Sequence, residues 1–435
     1  PSEREAAEEG GAPQPVDSDD DAPIPPLPGE RPSREPGMDS QPDAQGAASK
    51  RSPRRAAPRG EVIGRLISDH DVLLQWNADA GEWRRLPGRE SIHAGDRLVA
   101  LPPYKPSLAL GAGVTVQLLG GASVDLDAPD ADGAPGIRIN EGRVLLMTVA
   151  KPDVFVRIQA GDRQGTAAFG RDDAELAIQV ARELPDGVDP ESQPAAVLVD
   201  LYVSRGEVTW VSPGAGPETM KAPSHRALNG DPRVARDAAL PDWIESNDLS
   251  PIEKRAATAV DEHLTAERPV VQTLEELAVD KRWENSLLAL RSLALIGDFD
   301  ACVPVFNEDG PNQKNAWTPL IESLRAAMLR GPAVAARVRK AFQDQRGEEN
   351  GKALFRMLWG YTPEQLKQGA GQQLVDYLSH PELDFRVLSF WNLHHVTGWT
   401  LSYRPEYSEA KRRRGAAAWG QKLANGQLAP APGME

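Results

Sequence analysis

The chain has 435 residues, enough for two or three domains. Its formal net charge of −15 argues against a nucleic-acid-binding main body, which would ordinarily be basic. Its single cysteine, Cys302, excludes an intrachain disulfide framework and any multi-thiolate zinc site.

Residues 1–60 form a separate class of sequence. They contain no Phe, Trp or Tyr, and are rich in Pro, Asp, Glu, Ser and Gly. Such a segment buries too little apolar surface to offset the entropy of ordering, so we expect a disordered tether. It is acidic early (VDSDDD) and basic at its end (SKRSPRRAAPR). The basic run reads as a solvated linker, with contact to a membrane surface or an acidic partner as the alternative. No run approaches the roughly 18 apolar residues that span a bilayer. The opening PSEREAAEEGG carries neither Met nor signal peptide, so the expectation is a piece of a longer protein.

From 61 to 212 the pattern is β. VLLQW, RLVAL, SLAL, VTVQLL, SVDLD, IRI, RVLLMTV, DVFVRI, ELAIQV and AVLVDLYV are short runs rich in β-branched residues, separated by turn signals such as HAGD, LGGA, NEG, AGDRQG and SRGE. Alternation is clear in Val114, Val116 and Leu118, and again in Val154, Val156 and Ile158. This spacing predicts an all-β sandwich, barrel or roll. ELPDGVDPESQP (183–194) interrupts the series like an inserted surface loop. Residues 213–241 carry few large apolar groups and are expected to link or wrap.

From 242 to about 430 the period becomes helical. Ser250-Pro251-Ile252-Glu253 places a Ser cap, a first-turn Pro and a Glu able to complete a capping box; Thr362-Pro363-Glu364-Gln365 repeats this with Gln. WENSLLALRSLALIGD puts Trp283, Leu287, Leu290 and Ala294 on one stripe, with Gly297 as its stop. Further helices are predicted around 317–330, 333–344, 352–359, 364–379, 384–397 and 406–425. Short helices with short turns predict an array of α-hairpins.

Chemistry-bearing patterns are sparse. GAGVTV (111–116) reads into a strand, not a helix, and lacks the third glycine of a dinucleotide loop. GxxxxGK[ST], GxSxG and HExxH are absent from the sequence. The loop DLDAPDADG offers Asp125, Asp127, Asp130 and Asp132 as hard oxygen donors for calcium, but its spacing fails the EF-hand template, and a solvated hairpin loop is the competing reading. Cys302 sits in apolar DFDACVPVF and reads as a buried small hydrophobe. His394 and His395 are adjacent, about 100° apart on a helix, and so cannot comfortably share one ion. Val387, Phe390, Trp391 and His394 form one stripe with Leu388 and His395 on its flank, which predicts partly buried histidines with hydrogen-bonded nitrogens. No catalytic, cofactor-binding or metal-binding residue is assigned, and no cofactor is expected.

Two resemblances follow. Trp83…Pro87-Gly88…Ala94-Gly95-Asp96, LALGAGVTVQLLGGASVDLD, Asn140-Glu141-Gly142-Arg143-Val144, Gly165-Thr166-Ala167-Ala168-Phe169 and Arg205-Gly206-Glu207-Val208 together resemble a FecR-type extracytoplasmic β-domain across about a third of the chain. LVDYLSHPELDFRVLSFWNLHHVTG and YRPEYSEAKRRRGAAAWGQKLANGQL resemble a HEAT-type helical tail, in which Arg386 matches the arginine that ties adjacent repeats. Trp419, Leu423 and Leu428 would cap that array. The resemblance implies a non-enzymatic protein outside the cytoplasmic membrane, anchored by a segment beyond this chain. Its partner would be a protein, either an envelope receptor or a sigma/anti-sigma system, and it would take part in sigma-factor regulation. A carbohydrate- or envelope-binding surface protein is the alternative, and a hydrolase with an unrecognised site is third.

The expected fold is therefore β then α: tether 1–60, FecR-like β-domain 61–212, linker 213–241 and HEAT-like helical domain 242–430.

Overall fold

A computed structural model describes residues 60–427, apart from 112, 150–153, 171–172, 230–234, 237–238, 246–248 and 308–312. The expected tether and Leu428 lie outside the described residues.

The β region folds into two layers joined by one strand. The first layer runs, edge to edge, Ser91–His93, Val62–Leu66, Ser107–Leu110, Val114–Leu118, the later half of Gly136–Thr148, Ala174–Glu183, Ala196–Arg205, Ser224–Ala227 and Ala235–Arg236. The second runs Glu82–Arg85, Leu73–Asn77, Arg97–Ala100, Ser123–Asp127, the earlier half of Gly136–Thr148, Val154–Ala160, Arg163–Phe169, Glu207–Val211 and Glu218–Lys221. Val154–Ala160 pairs parallel to Gly136–Thr148, and the other pairings among the described strands are antiparallel. Alternation along each strand fills the space between layers: Val114, Val116, Leu118, Val154, Val156 and Ile158 are all buried there.

Asn140-Glu141-Gly142, read from sequence as a turn between two strands, lies within one thirteen-residue strand. The chain does not reverse; it bends and changes layer. Through Glu141 the strand pairs with Ser123–Asp127, and from Gly142 onward with Ala174–Glu183. Gly142 makes the bend with φ of 92°, and a Cβ added there would sit 2.6 Å from the Ala122 Cα. Only glycine meets both demands.

Within the expected 213–241 linker, Glu218–Lys221 and Ser224–Ala227 are strands of the β body, which corrects that expectation there. Glu218–Lys221 extends the second layer and Ser224–Ala227 the first, so the chain crosses between layers at Ala222-Pro223. Met220 is fully buried but is the sole large apolar side chain of its four-residue strand, too few for a periodic signal.

The helices after residue 242 pack mainly on their chain neighbours, in the order Pro251–His263, Val270–Ala278, Trp283–Ile296, Lys314–Met328, Pro332–Arg346, Glu348–Leu358, Gly371–Tyr377, Leu383–Thr397 and Glu409–Ala424. Both capping boxes form: the Ser250 and Thr362 hydroxyls each accept from the backbone N–H three residues on, at 3.2 Å. Gly297 ends its helix in the left-handed conformation, φ 86°. The 364–379 helix is broken instead of continuous, with a π turn at Leu366–Ala370 where Gly369 takes φ of 118°. The Trp283 stripe is broader than expected. Leu288, Ala289, Leu290, Leu293 and Ala294 are buried, whereas Trp283 and Leu287 stay half-buried beside a cavity.

The β and α regions belong to one compact unit. The VLLQW and RLVAL runs read as continuous apolar stretches because both faces of their strands are covered. Leu73, Leu98 and Ala100 point between the layers, while Val72, Leu74, Val99, Leu101 and Tyr104 join the core of the helices. Tyr104 Oη donates to the Ala257 carbonyl at 2.5 Å.

Candidate functional site

Among the described residues, the seam between the β layers and the helices holds the polar contacts that join the residues farthest apart in sequence. At one end Arg85 donates to the backbone carbonyls of Asp261, at 2.8 Å, and Leu264, and pairs with the Asp261 carboxylate. Those carbonyls close the Pro251–His263 helix, where a cation is favoured.

The other end is held by the inserted loop 183–194, which docks onto the helices instead of standing free. Gly187 N–H donates to the Trp359 carbonyl at 3.0 Å, and the Gly187 carbonyl accepts from Gln365 Nε2 at 3.1 Å. Gln365 thus does two jobs, since its Oε1 also completes the Thr362 capping box at 3.2 Å. Glu191 pairs with Arg339 at 2.8 Å. Asp186 accepts from Arg325 and lies 3.3 Å from His395 Nε2. Burial pushes the Asp186 carboxyl upward, but the His395 hydrogen bond and the Arg325 guanidinium outweigh it and hold the group below the usual carboxylate range. Arg325 also donates to the Leu358 carbonyl at 2.7 Å and lies 5.1 Å from the Trp391 ring, on which His395 stacks at 4.8 Å.

Between these ends, where Gly142 bends the chain, lies a cleft of about 260 Å³. Glu141 reaches across it to Arg330 at 2.9 Å. Arg330 Nη1 donates to the carbonyls of Ala294, at 3.2 Å, and Leu295, at 2.6 Å, at the end of their helix.

The residues singled out from sequence are dispersed. In the Asp125–Asp132 loop, Asp125 pairs with Arg97 at 2.9 Å and Asp127 with Arg138 at 3.8 Å. Asp130 pairs with Arg157 at 3.2 Å, and its other oxygen accepts from the N–H groups of Asp132 and Ala134. These carboxylates are directed outward to arginines and into the turn; they do not converge. Cys302 is fully buried against the Leu290 carbonyl, and burial raises its thiol far above the ordinary value, with Asp298 and Asp300 adding to the effect.

The histidine face departs from expectation. His394 and His395 are exposed, and Phe390 and Trp391 are only half-buried. The buried face of Leu383–Thr397 carries Phe385, Leu388, Ser389, Asn392 and Leu393. Ser389 bonds the Met357 sulfur, and Asn392 Nδ2 donates to the Met357 carbonyl at 2.9 Å, so polar side chains occupy core positions. Val387 and Leu388 of the expected stripe and flank are buried and both histidines are hydrogen-bonded as expected, but the core-facing side continues through Ser389 and Asn392 instead of through Phe390, Trp391 and His394. His394 Nδ1 bonds the Trp399 carbonyl at 3.1 Å, while His395 reaches the inserted loop. Arg386 is buried and donates to the carbonyls of His380, Pro381 and Pro405, tying the turn before its helix to the segment after it. Trp419 is fully buried at the end of the array, with Leu423 packed beside it.

Among the described residues no three His, Cys, Asp or Glu side chains gather as metal ligands, and no helix is long and apolar enough to cross a membrane. No known family model matches the chain, and no curated protein matches it.

Proposed function

We propose that this chain is a non-enzymatic FecR-type scaffold that works outside the cytoplasmic membrane, with a protein partner in a receptor or sigma-factor regulatory system. The observation that carries the reading is the docking of the 183–194 loop onto the helices through Asp186, Gly187 and Glu191. A protein that transmits contact from one region to another needs the two to move as one body, and this clamp joins them. The β-then-α order and the Gly95-Asp96 turn, in which Asp96 accepts from His93 N–H at 2.7 Å, agree with the sequence resemblance. The outer face of the second layer supports partner binding. Phe155, 44% exposed, stands in register with Ala168 and Thr209, and Val211 lies two residues along. Charges flank this apolar centre, Arg157 in the row of Val211 and the Glu207–Lys221 pair on the other side, and an apolar centre with a charged rim suits protein contact.

The test has two arms. In the native host, the chain should be digested by protease added outside the intact cytoplasmic membrane. A photo-crosslinking residue at Phe155 should trap a discrete protein partner. Full protease protection, or crosslinks no different from those formed at an exposed site such as Lys352, would overturn the proposal.

A further inference from the structure

We propose that the seam cleft binds a small organic anion, a carboxylate carried on a short apolar body. The inference stands apart from the scaffold reading, because it rests on the cleft's own side chains. Three guanidinium groups, from Arg182, Arg291 and Arg330, and one carboxylate, from Glu141, line it. Glu141 pairs with Arg330 Nε, and Arg330 Nη1 reaches helix carbonyls.

Arg182 and Arg291 carry the argument. Arg182 donates through Nη2 to the Asn140 carbonyl at 3.2 Å, yet its Nε is buried without a hydrogen-bond partner. A buried, charged donor left unmatched is costly, and the guanidinium that carries it borders the cleft. Arg291 is exposed on the Trp283–Ile296 helix and makes no hydrogen bond or ion pair among the described residues. Its electrostatic neighbour Glu253 is committed to the Ser250 cap, accepting the Ser250 N–H at 2.9 Å. The guanidinium fork fits a carboxylate in two-point fashion better than a spherical anion.

Apolar side chains make much of the remaining wall, from Val180, Leu295, Ala326 and Leu329, and the Ser323 hydroxyl beside them donates to the Pro319 carbonyl at 2.8 Å. At about 260 Å³ the cleft accommodates a molecule of few heavy atoms. It is formed jointly by strand and helix residues, so its shape depends on the clamp that joins them.

Ligand-observed saturation-transfer NMR on the full chain, with valerate, valeramide and inorganic phosphate as separate probes, tests this. Valerate should give saturable transfer to its terminal methyl, and both Arg291→Gln and Arg182→Gln should weaken its binding by about tenfold or more. Valeramide, lacking the charge, should bind much more weakly. Arg291 is exposed, so Arg291→Gln should leave the thermal midpoint unchanged and keep the comparison clean. Absence of saturable transfer from valerate, or transfer unaffected by both substitutions, would overturn the site. Phosphate binding as tightly as valerate would overturn the assignment of an apolar body.

Discussion

Replacing Arg325 with alanine should destabilise the protein by about 3–5 kcal/mol, because three interactions end at once. The guanidinium pairs with Asp186, donates to the Leu358 carbonyl at 2.7 Å and packs over Trp391. Hydrogen bonds involving a charged group contribute about 1.5–3 kcal/mol, and a cation over an aromatic ring about 0.5–1. The side chains of Arg325 and Asp186 are 22% and 31% exposed, so their Coulomb attraction is screened and adds only about 1 kcal/mol. A double-mutant cycle of Arg325→Ala and Asp186→Ala, read by urea unfolding, isolates that last part. A coupling near 1 kcal/mol is expected, and one below about 0.3 kcal/mol would refute the clamp. The pH dependence supplies a second reading. A carboxyl whose folded pKa is depressed contributes stability that is present above its unfolded value, near 3.9, and is lost as pH falls through the folded one. Asp186→Ala should therefore flatten the loss of stability below about pH 4.

Three further outcomes follow from single positions. Gly142→Ala should cost about 2–4 kcal/mol, measured by chemical denaturation, since the left-handed backbone and the contact with Ala122 both resist a Cβ; a change under about 0.5 kcal/mol would contradict the layer-switching bend. Cys302 should react with a thiol reagent only at the rate of global unfolding, because it is sealed in the core and its thiol is raised by burial; fast labelling of the native protein would refute this. Asp384 has the sign opposite to Asp186. Burial raises its folded pKa, despite Arg346 at 2.8 Å and the Phe385 N–H, so its ionisation opposes folding and that opposition fades as pH falls through the raised value. The stability of wild type relative to Asp384→Asn should thus improve between pH 7 and about 4; a relative decline would reverse the assignment.

Local signals read well where one physical rule acted alone. SLAL and SVDLD match the observed strands Ser107–Leu110 and Ser123–Asp127, since alternation and flanking turns agree there. The two capping boxes and the Gly297 stop were legible because each is a contact within a few residues. What stayed hidden was long-range. Nothing local distinguishes ELPDGVDPESQP as a clamp from a free loop, for its partners Arg325, Arg339 and His395 lie well over a hundred residues away. Strand Arg163–Phe169 was obscured by Gly165, which sits beneath Trp210 and needs to be small for that packing. The histidine helix misled because Ser389 and Asn392 face the core, where each hydrogen-bonds Met357. The cleft was illegible for the same reason as the clamp: Arg182 and Arg291 meet only through the tertiary fold.

The central claim is that the β layers and the helices behave as one mechanical unit, which differential scanning calorimetry of the intact chain tests most directly. The account predicts a single endotherm whose calorimetric and van't Hoff enthalpies agree, splitting in two when Asp186, Glu191 and Arg85 are replaced together by alanine. Two resolved transitions in the wild-type protein would contradict it.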